Sequence, residues 1–215
     1  MSKTITQHPD DANLMSYAAG ALAEPLAAAI AGHVALCPRC RDEMRLLRAL
    51  GGALLSDVTT VRADAAPPVP AIEPTAARHG RPQALETGGL PLPLAAKYKL
   101  DLASVPWRWL GPGIQYHVLP LSPGVAGDLR LLKIAAGRRM PEHGHGGTEM
   151  TLVLDGAFSD ETGRYGPGDI QDVDGDLEHQ PVVDARLGCV CLVASEQPAR
   201  FKGIFSRLLQ PWTGM

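Results

Sequence analysis

Seven of the chain's 19 prolines fall between Pro67 and Pro93. Pro67, Pro68, Pro70 and Pro74 remove backbone donors and forbid a regular helix across that stretch. The 215 residues therefore cannot form one uninterrupted helical or sheet structure. They divide into residues 1–60, a Pro-rich and extended linker over 61–95, and residues 96–215. A chain of this length accommodates one large domain or two small ones, and the prolines favour two.

The two parts carry different periodicities. Up to residue 57, Ala and Leu dominate and β-branched residues are few. Pro9-Asp10-Asp11 is a helix start, with Leu14, Tyr17 and Ala18 following at helical spacing and Gly20 near that helix's end. Pro25 suits the first turn of a second helix, whose face carries Leu26, Ala29, Ile30, His33, Val34 and Cys37. Pro38 opens a third segment with Met44, Leu47, Leu50 and Leu54 as its stripe. From about residue 96, Gly and Pro punctuate short runs such as Tyr116–Leu119, Leu129–Ile134, Met150–Leu154 and Val190–Val193. Short strands without intervening helical periods predict an all-β sandwich or barrel. The expected fold class is thus a two-domain α + β protein, a small helical bundle followed by an all-β domain.

The near-balanced charge of −3 and pI near 6.1 argue against nucleic acid as the main partner, so direct nucleic-acid binding is not expected. No run approaches the roughly 18 apolar residues of a membrane span. The N-terminal MSKTITQHPDD lacks the apolar region of a signal peptide. A cytoplasmic address is therefore expected, where Cys-x2-Cys signals metal or redox chemistry before a structural disulfide.

Two ligand clusters stand out. His33-x3-Cys37-x2-Cys40 supplies three soft ligands. If the second helix continues, all three project to one side; if Pro38 breaks it, a tight turn still keeps Cys40 close. Structural zinc takes four such ligands. His8 is the candidate for the fourth, with Asp10, Asp11 or water as alternatives. The same set also suits a redox switch in which thiolate oxidation releases metal. The second cluster is His143-x-His145-x3-Glu149 with His179 downstream. On a strand, His143 and His145 face the same way, and Gly146-Gly147 permit a turn before Glu149. Three imidazoles and a carboxylate suit Zn, Mn, Fe, Ni or Cu. Cys189 and Cys191 flank Val190 in an apolar run. They read either as small buried side chains or as an oxidisable pair near the second metal. A disulfide between residues two apart on an extended strand is strained.

The second cluster sits within a wider pattern. Gly137-x5-His143-x-His145-x3-Glu149-x6-Gly156 resembles the first motif of the cupin family in full register. Gly168 and His179 match the ends of the second cupin motif, while Asp174, Asp176 and Val183 replace its Pro, Gly and Asn. The resemblance covers roughly residues 100–195 and implies a small antiparallel barrel with the metal inside.

The first cluster, within LMSYAAGALAEPLAAAIAGHVALCPRC, is similar to that of zinc-containing anti-sigma factors. Together with EMTLVLDGAFSDETGRYGPGDI, LEHQP and the terminal FSRLLQPW, the whole chain resembles the ChrR type. That resemblance implies zinc held by His8, His33, Cys37 and Cys40, and a second zinc held by His143, His145, Glu149 and His179. It implies a group IV sigma factor as partner, released when the cupin domain meets singlet oxygen or an organic peroxide. It also implies a fourth helix in the helical domain, where this chain has Pro67, Pro68, Pro70 and Pro74. The competing reading is a metal-dependent cupin enzyme, a dioxygenase or isomerase. It ranks second because four protein ligands nearly fill a tetrahedral shell and no general base stands beside the motif.

Overall fold

The computed structural model describes residues 4–56, 58–59, 89–144, 146–175, 177–197 and, for the backbone alone, 200–201. Pro67, Pro68, Pro70, Pro74, His145 and the FSRLLQPW segment lie outside the described residues.

Three helices open the chain: α1 (Asp11–Ala18), α2 (Glu24–Leu36) and α3 (Pro38–Ser56). The Asp10 carboxylate accepts from Ala12 N at 2.7 Å, which satisfies one of the first-turn donors of α1. Pro25 occupies the first turn of α2, where its missing N–H costs nothing. That helix does not run on through the cysteines. Cys37 is extended, with φ −91° and ψ 112°, because the residue before a proline is driven out of the helical region. The chain turns at Cys37-Pro38 and α3 begins at once.

A short helix, α4 (Leu92–Tyr98), begins inside the stretch expected as linker, with Pro91 before it and Pro93 in its first turn. The strands begin at Arg108 rather than near residue 96. They are β1 (Arg108–Gly111), β2 (Ile114–Val118), β3 (Asp128–Ile134), β4 (His143–Gly144), β5 (Glu149–Gly156), β6 (Phe158–Asp160), β7 (Gly163–Tyr165), β8 (Ile170–Val173), β9 (Val182–Val183), β10 (Cys189–Ser195) and β11 (Arg200–Phe201). Six of them form an antiparallel sheet in the order β1-β2-β3-β10-β5-β8. The three-stranded sheet β7-β6-β9 closes over its inner face, and Phe158, Tyr165 and Val183 meet Leu132, Val153 and Cys191 there.

The outer face of the large sheet is buried too. Leu131, Leu152 and Leu192 share one core with Leu26, Ala29 and Ile30 of α2. This explains why the central strands read as unbroken apolar runs: residues of both parities are buried, so alternation disappears. The helical bundle and the barrel are thus packed into one hydrophobic core. No helix among the described residues is long and apolar enough to cross a membrane.

Gly32 makes this packing close. A Cβ there would lie 2.7 Å from Leu152 Cδ2 on β5 and 3.1 Å from Leu94 Cδ1 on α4. Both leucines are essentially inaccessible to solvent. Gly32→Ala gains about 1 kcal/mol of helix propensity but forces two packed side chains to move, which costs about 1–3 kcal/mol. The expected result is a net loss of about 1 kcal/mol, read as a lower denaturant midpoint at unchanged slope. A higher midpoint would show that the α2–sheet contact yields freely.

Candidate metal centres

The first centre is assembled at the turn between α2 and α3. His33 comes from the last turn of α2, Cys37 from the cap, Cys40 from the first turn of α3, and His8 from the segment before α1. One ligand atom from each lies within 4.8 Å of all the others. His33 Nε2 is 3.2 Å from Cys40 Sγ, and His8 Nδ1 is 3.4 Å from Cys40 Sγ and 3.5 Å from Cys37 Sγ. The two imidazoles stand edge to face, with centroids 5.6 Å apart. Four soft donors at these separations surround a point suited to a tetrahedral zinc ion.

The electrostatics of the first centre agree. His33, Cys37 and Cys40 are buried. Burial lowers His33 to about 4, so its ring is neutral, the form that ligates. Its Nδ1–H donates to Gly168 O at 2.8 Å, which leaves Nε2 facing the sulfurs. Burial and the adjacent Cys37 push the Cys40 thiol up to about 12. Two thiolates at this position therefore need a cation beside them, and metal binding would release protons.

The second centre lies inside the barrel. His143 on β4 and His179 form a β-bridge, each N–H donating to the other's carbonyl at 3.2 and 3.1 Å. Glu149 opens β5 beside them, and one ligand atom from each of the three lies within 4.8 Å of the others. All three are buried. His145, the remaining sequence candidate, lies outside the described residues. His143 Nδ1 is fixed by Pro141 O at 2.9 Å. His179 Nδ1 donates to Asp160 Oδ2 at 2.7 Å. A mixed imidazole and carboxylate set of this kind fits several divalent metals.

Asp160 on β6 was not legible as a site residue. It also accepts from Gln171 Nε2 at 2.6 Å and from Thr162 N at 2.9 Å. Burial by itself would raise its carboxyl, but the bonds from His179, Thr162 and Gln171 outweigh that and hold it well below the usual carboxylate range. The carboxylate orients the imidazole and raises its basicity as a ligand. Asp160→Ala is expected to weaken metal binding at the barrel centre by about 10- to 100-fold while sparing the thiolate centre. Chelator competition on the purified protein measures this, and an unchanged barrel affinity would remove Asp160 from the site. A buried carboxylate 19 residues before His179 leaves no local signal, because the pairing exists only once β6 crosses the barrel.

A cavity of about 90 Å³ runs from this centre along the barrel axis. His143, Glu149 and His179 stand on its wall with Arg130, Cys189 and Cys191. Glu149 is in register with Ser195 and Asp128 at one end of the strands, whereas Cys189 pairs with Gly156 and Ile134 at the other. Both cysteines are free and buried. The neighbouring Cys189 sulfur, together with burial, pushes the Cys191 thiol up, so it is protonated and weakly nucleophilic in this setting.

A sequence model of the ChrR cupin-like domain matches residues 96–199. The anti-sigma-E factor ChrR of Cereibacter sphaeroides is 40% identical over 217 residues, spanning 97% of this chain and 98% of that protein. Among solved structures, the complex of Rhodobacter sphaeroides SigE with the anti-sigma factor ChrR matches with TM-score 0.73 and 40% identity. That match covers 89% of this chain and 99% of the other. KdgF from Halomonas sp. is 25% identical over 43% of this chain, at a TM-score of only 0.37.

Proposed function

Because the chain belongs to the family of ChrR-type anti-sigma factors, we propose that it binds a group IV sigma factor and keeps it from RNA polymerase. It acts as a regulator and not as an enzyme. The observation that carries the reading is the second half of α3. Residues 48–56 are all exposed, and Leu46, Leu50 and Leu54 recur every fourth residue with exposures of 73%, 58% and 62%. Such a stripe on a helix that projects from its own bundle is an unburied face of the kind that docks an amphipathic partner helix. Burying each leucine in a complex contributes about 1.5–3 kcal/mol.

In this reading His8, His33, Cys37 and Cys40 hold zinc, which cross-links the helical bundle and presents α3. His143, His145, Glu149 and His179 hold the barrel metal, zinc first, with Mn, Fe, Ni or Cu as alternatives. The barrel converts contact with singlet oxygen or an organic peroxide into loss of the sigma contact. Cys189 and Cys191, on the wall of the same cavity, are the candidate redox pair. The protein works in the cytoplasm, where the sigma factor is. Such a release requires that the oxidant favour one of two states of the chain.

The test is co-purification. A group IV sigma factor from the same organism, sought first in the adjacent reading frame, should be retained by the chain under reducing, zinc-replete conditions and shed after treatment with an organic hydroperoxide. Failure to co-purify would sink the anti-sigma reading, and retention after oxidant would sink the sensory part alone.

A further inference from the structure

Two of the four candidate ligands of the first centre are positioned from the barrel. The Asp169 carboxylate, in the turn between β7 and β8, reaches across to the segment that carries His8. Its Oδ1 accepts from Thr6 N at 2.7 Å and from Gln7 N at 3.0 Å, the two peptide groups immediately before His8. Its Oδ2 accepts from Gly166 N at 2.8 Å, which anchors the carboxylate within its own turn. Asp169 is only 6% exposed. The adjacent Gly168 has φ +90°, a conformation that side chains rarely adopt, and its carbonyl receives the Nδ1–H of His33. A Cβ at Gly168 would also collide with Ile5 Cδ1 at 2.6 Å. The turn is thus shaped on both sides to fit the helical half.

We propose that Asp169 is a positioning residue for the thiolate metal centre, so that the barrel's β7–β8 turn helps set the metal affinity of the helical domain. This rests on the reading that His8, His33, Cys37 and Cys40 hold a metal. Cys37 and Cys40 are placed by α2 and α3 themselves. His8 has no helix to hold it, since it precedes the Asp10 cap of α1. Without the carboxylate, the N–H groups of Thr6 and Gln7 lose their acceptor, and the segment keeps only its contacts at Gln7 O and Asp10 N, so more of the cost of ordering His8 falls on metal binding. Outer contacts of this kind typically govern metal affinity without touching the ion.

The experiment titrates Co²⁺ into the full-length protein and follows the thiolate-to-cobalt absorption, which reports only on a centre with cysteine ligands. Chelator competition then gives the affinity, and total metal content monitors the barrel centre. Asp169→Ala should lower affinity at the thiolate centre by about 10- to 100-fold and leave barrel metal content unchanged. Asp169→Asn keeps one acceptor oxygen and should fall between the two; it carries the test if the alanine variant does not fold. Affinity within about twofold of the unmodified protein, or equal losses at both centres, overturns the positioning role. Absence of the thiolate band in the unmodified protein overturns instead the underlying metal assignment.

Discussion

Replacing Leu50 and Leu54 of α3 together by aspartate is expected to abolish sigma-factor binding while leaving the protein folded. Both side chains are more than half exposed and lie one turn apart on the projecting half of the helix. Removing them costs no core contacts among the described residues. In the complex, each would be an apolar anchor replaced by a charge that must be desolvated. Interface anchors of this kind contribute about 2 kcal/mol or more apiece, so the pair should weaken binding by roughly a thousandfold. Calorimetric or interferometric titration against the sigma factor gives the affinity, and thermal unfolding of the free variant checks the fold. Full affinity in the double variant would place the docking surface elsewhere. A melting temperature well below that of the unmodified chain would show that the stripe is packed in solution.

The second large effect is expected from Cys40→Ser. Cys40 is 1% exposed and its sulfur lies near both His8 and His33, so it is central to the donor set. Serine is a poor zinc ligand at neutral pH, and three remaining donors leave the centre open. Metal content should fall from two ions per chain to one. Because metal affinity at such a centre is folding free energy for the segment it ties, the variant should lose about 3 kcal/mol or more of stability. Sigma binding should fall with it, since α3 starts at this turn. Treating the unmodified protein with a strong chelator, which would strip the barrel centre as well, should destabilise it by at least as much. If the variant keeps both ions and its unfolding midpoint, the four residues form a buried polar cluster and not a metal centre.

How much of this was legible depends on how local each signal is. His33, Cys37 and Cys40 lie within eight residues, and Pro38 marks the turn that gathers them, so spacing alone exposed the cluster. His8 followed from a missing fourth ligand, although nothing in its neighbourhood says where its segment goes. His143, Glu149 and Gly156 sat in a fixed register with Gly137. The remainder depends on distant parts of the chain meeting. Asp160 matters only because β6 brings it against His179, and Asp169 only because the β7–β8 turn reaches residues 6 and 7. The burial of α2 against the outer face of the large sheet was also hidden. The linker prolines divide the chain into a helical and a strand part, but nothing in them says that the two parts pack on each other through Gly32, Leu94 and Leu152. The helix Leu92–Tyr98 lies partly inside the stretch assigned to the linker on its proline content, whereas Pro91 and Pro93 stand at a helix start, where they fix the backbone favourably.

β8 is the last strand of the six-stranded sheet and, among the described residues, pairs only with β5. A bare strand edge invites pairing with another molecule, the first step of aggregation. Here residues 6–10 run along that edge. Ile170 N lies 3.4 Å from Gln7 O, and the Asp172 carboxylate accepts from Asp10 N at 2.9 Å. The segment that brings His8 to the cysteines therefore also shields the sheet from self-association. On the reading that the first centre holds a metal, stripping it would loosen that cover and bare the β8 edge to self-association.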